Sequence, residues 1–313
     1  MTTELTPRPT SFHHSAADVL PKGWVVEPLS ASIGAIIHGV DLTRPLSEAE
    51  VGALRSALLG RRVIFFRNQH LSPAEQVEFA RRFGTLTPAH PLVGGLDADH
   101  PEVLELDSEN YPLGVGQRGN GTSYNTRWDT DVTFSATPPA IAFLAAKVIP
   151  PSGGGDTLWA DLIGAYETLS PPLQHLLDGL VAVHDANATF SRFRADDPTG
   201  EQRAKLARLD PVQHPVVRVH PETGARGLFV NETFTATIEG LGDAESRAIL
   251  DLLYAHTITP ERVVRWHWNA GDLAVWDNRS TVHYAAADYS ERRVMHRVTV
   301  VGDRPTGIYG YAA

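Results

Sequence analysis

Asp129 and Asp131 stand two apart in Trp128-Asp129-Thr130-Asp131-Val132-Thr133-Phe134. On an extended chain, side chains two apart share a face, so both carboxylates could reach one cation. In isolation an Asp-x-Asp is more often a turn or a solvated strand edge, and it needs further ligands to mean more. The chain has no cysteine and 14 histidines, so any metal would have to be held by nitrogen and oxygen donors. Literal His-x-Glu occurs at His100-Pro101-Glu102 and His220-Pro221-Glu222, but a proline between the two imposes turn geometry rather than a shared strand face. Twenty-seven basic against 37 acidic side chains give a formal net charge of −10, with no basic block. That argues against nucleic acid and anionic membrane as partners. An anionic ligand would have to be met by a few local Arg and His residues.

These groups must be carried on a folded scaffold, and an apolar fraction of 42% over 313 residues is enough to build one. Residues 1–22 are polar and read as a mobile tail rather than a signal peptide. No stretch approaches the roughly 20 apolar residues of a membrane span, and the lack of cysteine fits a reducing, cytoplasmic setting. Trp24 to His38 reads as two short strands. Ser47-Glu48-Ala49-Glu50 is a capping box opening a helix that Gly60 should end, and Ser72-Pro73-Ala74-Glu75 is a second box. Arg62 to Arg67, Val103 to Leu106, Ala140 to Ala146 and Thr157 to Ala160 read as strands. Helices follow at Leu162 to Leu169, from Ser170 to Leu180 and at Ala244 to His256. Val216 to His220 and Gly227 to Val230 flank a hairpin turn, and three more strands are read at Val263 to Trp268, Leu273 to Trp276 and Val294 to Val301. Phe190 to Asp210 is polar and reads as a surface insertion or lid. Short strands with helices mostly in the first half point to an α+β fold, a sandwich or jelly roll with helices on one side. No boundary divides residues 23–313 into two domains.

The segment around Asp131 resembles the first metal motif of the taurine dioxygenase-like family of Fe(II)/2-oxoglutarate oxygenases, which writes Trp-His-Thr-Asp. Trp276-Asp277-Asn278-Arg279-Ser280-Thr281-Val282-His283-Tyr284-Ala285 resembles the family's second block, and Arg292-Arg293-Val294-Met295-His296-Arg297 its arginine segment. The resemblance runs over nearly the whole chain. It implies a double-stranded β-helix, or jelly roll, with flanking helices. It implies Fe(II) on Asp129, Asp131 and His283, and 2-oxoglutarate held through its far carboxylate by Arg293 and Thr157. His90, Asn125, Val132 and Arg297 correspond to the site of a small anionic organic substrate, a sulfonate, sulfate or carboxylate. The tyrosine that taurine-specific members place three residues after their His is Val93 here, which favours a larger or more apolar anion such as an alkyl sulfate or an aryloxyalkanoate. The implied reaction consumes O₂, gives succinate and CO₂, and hydroxylates the substrate. A homo-oligomer, dimer or tetramer, is also implied. His296, between the two arginines, should face the other side of its strand.

Asp129 departs from the family pattern. A carboxylate in place of imidazole makes the set shorter, harder and more negative, which suits Mn or Mg relatively better than Fe. Two adjacent carboxylates should also raise at least one of their pKa values. Three readings stand: an introduced inactivating substitution made to trap a complex, a natural variant triad with altered activity, and a non-catalytic anion- or metal-binding protein on the same fold.

Overall fold

A computed structural model describes residues 20–110, 127–187 and 200–311. Residues 1–19 of the expected tail, Asn125 and positions 190–199 of the expected insertion lie outside these.

The chain opens with the hairpin β1 (Val25–Pro28) and β2 (Ala35–His38), then α1 (Glu48–Arg61), β3 (Val63–Phe66) and α2 (Pro73–Arg81). Both predicted capping boxes form, with Ser47 and Ser72 accepting from Glu50 and Glu75 backbone N–H and each glutamate reaching back to its cap. Gly60 does not end α1. The helix runs to Arg61, and Arg62 takes the left-handed conformation (φ 66°) while its own N–H closes on Leu58. There the C-terminal turn is made by an arginine whose side chain also donates to the Leu59 carbonyl.

Then come β4 (Leu104–Asp107), β5 (Ile141–Val148), β6 (Thr157–Asp161), α3 (Leu162–Glu167), α4 (Pro171–Leu177) and β7 (Val181–His184). The second half carries a helix at Glu201–Leu206, β8 (Val212–Pro215), β9 (Val217–Val219), β10 (Arg226–Leu228), β11 (Thr235–Ile238) and a long helix at Asp243–Thr257. It closes with β12 (Val263–Trp266), β13 (Leu273–Asp277), β14 (Thr281–Ala285), β15 (Val294–Val300) and the short pair β16 (Thr306–Gly307) and β17 (Gly310–Tyr311). β7, β8 and β11 were not read from the sequence. They join in a three-stranded sheet in the order β11-β7-β8.

The largest sheet has seven strands in the order β1-β2-β3-β13-β5-β15-β4, and a smaller one runs β12-β6-β14. Strand alternation sorts the large sheet's side chains. Ile64, Phe66, Phe143, Leu273, Val275, Val298 and Val300 face α1 and α2 with Leu54, Leu58, Val77 and Phe79. Val63, Phe65, Ala142, Leu144, Ala274, Trp276 and Met295 face the smaller sheet's Trp159, Val264 and Trp266. The smaller sheet buries its outer face, Ala160 and Val282, against α3 and the helix Asp243–Thr257. Two sheets thus face each other with helices outside both. Because β13 is buried on both faces, its apolar run is continuous rather than alternating.

The expected insertion is not wholly a surface feature. Leu206 is buried with Ala89, Leu92, Val132, Phe134 and Phe234, so this part of it supplies a wall of the interior. Among the described residues no helix is long and apolar enough to cross a membrane.

Candidate active site

The space between the two sheets is where the predicted groups meet. β14 pairs with β6 in a register that sets His283 opposite Trp159 and Ala285 opposite Thr157. Val282 points outward, so His283 points inward. On the large sheet, Met295 and Arg297 of β15 share the inward face. His296 points the other way, as expected, and its ring nitrogen meets Glu105.

Asp129 reaches His283 through the backbone. The two residues exchange both hydrogen bonds of an isolated antiparallel bridge, at 2.9 and 2.7 Å. The bridge is one residue long and the chain turns at Asp131, so the two aspartates do not share a strand face as the spacing suggested. The turn achieves the same result: carboxylate oxygens of Asp129 and Asp131 and a ring nitrogen of His283 all lie within 4.8 Å of one another. His283 Nε2 is 3.5 Å from Asp129 Oδ1.

The set is not electrically self-sufficient. Burial, helped by the Asp131 charge, pushes the Asp129 carboxyl up to about 6 against the pull of His283 and Arg297. The Arg297 guanidinium donates to Asp131 Oδ1. Asp131 Oδ2 and His283 Nδ1 are buried without a hydrogen-bond partner among the described residues. Native proteins seldom leave such atoms bare, and a divalent cation among these ligands would satisfy the Asp131 oxygen together with one ring nitrogen of His283. The donor set therefore fits a metal, with harder character than two imidazoles and one carboxylate would give.

The backbone beside Asp131 is held by a residue the sequence reading left without a role. Asn278 accepts from Asp131 N–H at 2.9 Å and donates to the carbonyls of Asp131 (3.1 Å) and Pro139 (2.9 Å). In the sequence its block points only to His283. The neighbouring Asp277 takes hydrogen bonds from His220 and Arg279, and Arg279 also pairs with Glu222. The literal His220-Pro221-Glu222 motif is thus spent on bracing this turn, and in the other such motif His100 pairs with Asp97 and Glu102 with Arg81. Val132 has φ 56°, a conformation a β-branched residue rarely adopts and which costs on the order of 1–3 kcal/mol.

Arg293 is buried, with Nε and Nη2 lacking hydrogen-bond partners among the described residues. Burial lowers its pKa, with Tyr289 and Asp156 opposing. Gly155 (φ 70°) lies so close that a Cβ there would meet the Arg293 side chain at 2.8 Å. Thr157 Oγ1 accepts from Trp268 Nε1 at 3.0 Å, which leaves its hydroxyl proton to donate elsewhere. The Arg293 donors that lack acceptors suit a carboxylate. His90 accepts from Leu92 N–H through Nδ1, packs 6.4 Å from the Phe134 ring, and is pushed down to about 3 by burial and by Arg297. It is therefore neutral at neutral pH. The structure brings together Asp129, Asp131, His283, Arg297, His90 and Val132. Asn125 lies outside the described residues.

Residues 26–299 match the model of the taurine catabolism dioxygenase TauD, TfdA family. An alpha-ketoglutarate-dependent sulfate ester dioxygenase of Pseudomonas putida is 40% identical over 291 residues, 91% of this chain and 92% of that protein. An alkylsulfatase of Acinetobacter baylyi is 38% identical over 90% of this chain and 86% of its own length. A crystal structure of a taurine dioxygenase from Burkholderia xenovorans superposes with TM-score 0.77 at 42% identity, covering 92% of each chain. The structure of AAD-2 with Mn(II) and N-oxalylglycine does so with TM-score 0.77 at 26% identity, covering 90% of this chain and 99% of that one. A family match over most of the chain, joined to relatives of this identity and coverage, places the chain in the TauD/TfdA family of dioxygenases.

Proposed function

We propose that this chain oxidises small organic anions, alkyl sulfate esters foremost, using 2-oxoglutarate and O₂ at a divalent iron held by Asp129, Asp131 and His283. The observation that carries the reading is the convergence of three ligand atoms within 4.8 Å beside the Arg297 guanidinium. Iron bound there would supply the O₂ chemistry that couples decarboxylation of 2-oxoglutarate to substrate hydroxylation. The protein's own part is positional. Arg293 and Thr157 grip the far carboxylate of the 2-oxo acid, and the acid-analogue complex of AAD-2 supports a 2-oxo acid in this fold. Arg297 and neutral His90 meet the substrate's anionic group, as donors that need no proton transfer. Val132, with Phe134 and Phe234, offers an apolar wall to an alkyl chain, and Asn125 is assigned to the same site by the sequence pattern. The sulfate ester and alkylsulfatase relatives support sulfate over sulfonate. Hydroxylation of the carbon bearing the sulfate gives a hemiacetal ester that collapses to an aldehyde and free sulfate.

The same reading takes residues 23–313 as one jelly-roll domain, with the two facing sheets as its halves, in a cytoplasmic homo-oligomer, dimer or tetramer. A second reading, a non-catalytic anion or metal binder, is favoured by one residue, Asp129. One comparison separates them. The protein and Asp129→His are mixed anaerobically with Fe(II) and 2-oxoglutarate, the visible absorption of the chelate is recorded, and succinate is measured after O₂ is admitted with dodecyl sulfate. Succinate from both is the expected outcome, with a slower rate for the unsubstituted protein. Succinate from the Asp129→His protein alone makes Asp129 a lesion and leaves the binding reading. No band and no succinate from either removes the oxygenase reading.

A further inference from the structure

Val132 holds a backbone conformation that its own side chain disfavours, so something must hold it there. Relaxing φ of Val132 requires one of its two flanking residues to move. On one side Asn278 grips Asp131 at both N–H and carbonyl. On the other side stands a buried cluster with no part in the proposed chemistry. Asn231 Nδ2 donates to Thr133 Oγ1 at 3.0 Å, and Thr133 Oγ1 lies 3.0 Å from His184 Nδ1. A hydroxyl offers one proton and two lone pairs, so Thr133 serves Asn231 Nδ2 and His184 Nδ1 together. His214 Nε2 lies 2.8 Å from the Thr133 carbonyl and 3.1 Å from that of Ser135, and it can only donate to them. Asn231 is itself fixed, its Oδ1 accepting from Thr233 and Phe234 N–H and its carbonyl from Tyr254. All four side chains are buried.

We propose that Thr133, His184, His214 and Asn231 are positioning residues, a lock that sets the Asp131 carboxylate toward His283 and Val132 toward the apolar wall. Both locks are required. With Asn278 alone the chain beyond Val132 would relax toward a favoured φ, and its movement would pull the Asp131–Val132 peptide against that one clamp and shift the carboxylate. The Thr133 hydroxyl is the shared node, bonded to two of the other three side chains. The inference rests on the reading of Asp129, Asp131 and His283 as a divalent-cation site.

The test is Mn(II) binding to the full chain, followed by the electron paramagnetic resonance of free Mn(II), with urea unfolding in parallel. Thr133→Val keeps the shape and removes the hydroxyl. It is expected to weaken Mn(II) about tenfold or more, the usual scale for groups that orient a ligand. Thr133→Ser keeps the hydroxyl and should stay within about twofold of the unsubstituted protein. Wild-type affinity in folded Thr133→Val, with or without a lower urea midpoint, overturns the inference, because a merely structural role would move the midpoint alone. Should Thr133→Val not fold, His214→Gln and His214→Leu give the same contrast at the carbonyl, with the donor kept or removed, and equal Mn(II) affinities for those two overturn it. If the unsubstituted protein takes up no Mn(II) or Fe(II), the cation-site reading itself fails, and this one falls with it.

Discussion

Asn278 clamps the backbone of Asp131 from one side of the turn. Asn278 is fully buried and satisfies one donor and two acceptors that have no other route to water. Asn278→Ala should therefore cost about 2–4 kcal/mol, since each buried polar group left unmet costs roughly 1–3 kcal/mol. Urea unfolding would show it, and a loss under about 1 kcal/mol would mean that other groups hold the turn. The role was invisible in the sequence. The block containing Asn278 resembled a family motif, and resemblance locates a residue without saying which atoms it bonds. The candidate ligands Asp129, Asp131 and His283 are legible through the resemblance of their segments to a family's motifs, since an Asp-x-Asp by itself is more often a turn; the structure brings their donor atoms within 4.8 Å of one another. Asp129 shows the limit of that legibility. The adjacent carboxylates already imply a raised pKa, and only the structure ranks the causes, partial burial first and the Asp131 charge behind it.

At the scale of elements, local patterns were read well where they are local in cause. Capping boxes are contained within four residues, and both formed around α1 and α2. Removing one should cost what a cap costs. Ser72→Ala is expected to lower stability by about 1 kcal/mol without changing Mn(II) affinity, because α2 supports β5 and β15 through Phe79 and through Gln76, which donates to the Phe143 and His296 carbonyls from outside the sheet. A change in affinity for this variant would show that α2 reaches the site through β15. The end of α1 was misread for the opposite reason. Glycine at position 60 signals a C-terminus, yet the helix stops where Arg62 can both turn and cap it, and that depends on β3 leaving in the right direction. β7, β8 and β11 were missed because each is a four-residue strand whose partners are distant in sequence.

For the whole molecule, several buried histidines make folding sensitive to acid. Burial holds His184 well below the usual imidazole range, and pushes His214 down to about 4 and His90 to about 3. In the unfolded chain each would titrate near 6.5. Below that pH the unfolded state binds protons that the native state refuses, so stability is complete above about 6.5 and falls as pH drops toward 4. Asp277 adds to the same trend lower down. Burial would raise its carboxyl, but hydrogen bonds from His220 and Arg279 outweigh this and hold it well below the usual range. Its contribution is present above about 3.9 and lost as pH falls further. Urea midpoints should hold level from pH 7.5 to about 6.5 and decline from there to pH 5, and a flat profile below about 6.5 would contradict the burial of the three rings.

The sequence by itself determined which donors exist, their order along the chain, the helices with strong caps and the strands with strong apolar runs, because these depend on residue chemistry and short-range periodicity. Only the tertiary structure decided that Asp129 meets His283 across a one-residue bridge, that a turn rather than a strand face aims Asp131, and that Val132 stays at positive φ. Each of these is fixed by hydrogen bonds from residues distant in sequence, acting against or beyond local preference, and such contacts exist only once the two sheets have closed on each other.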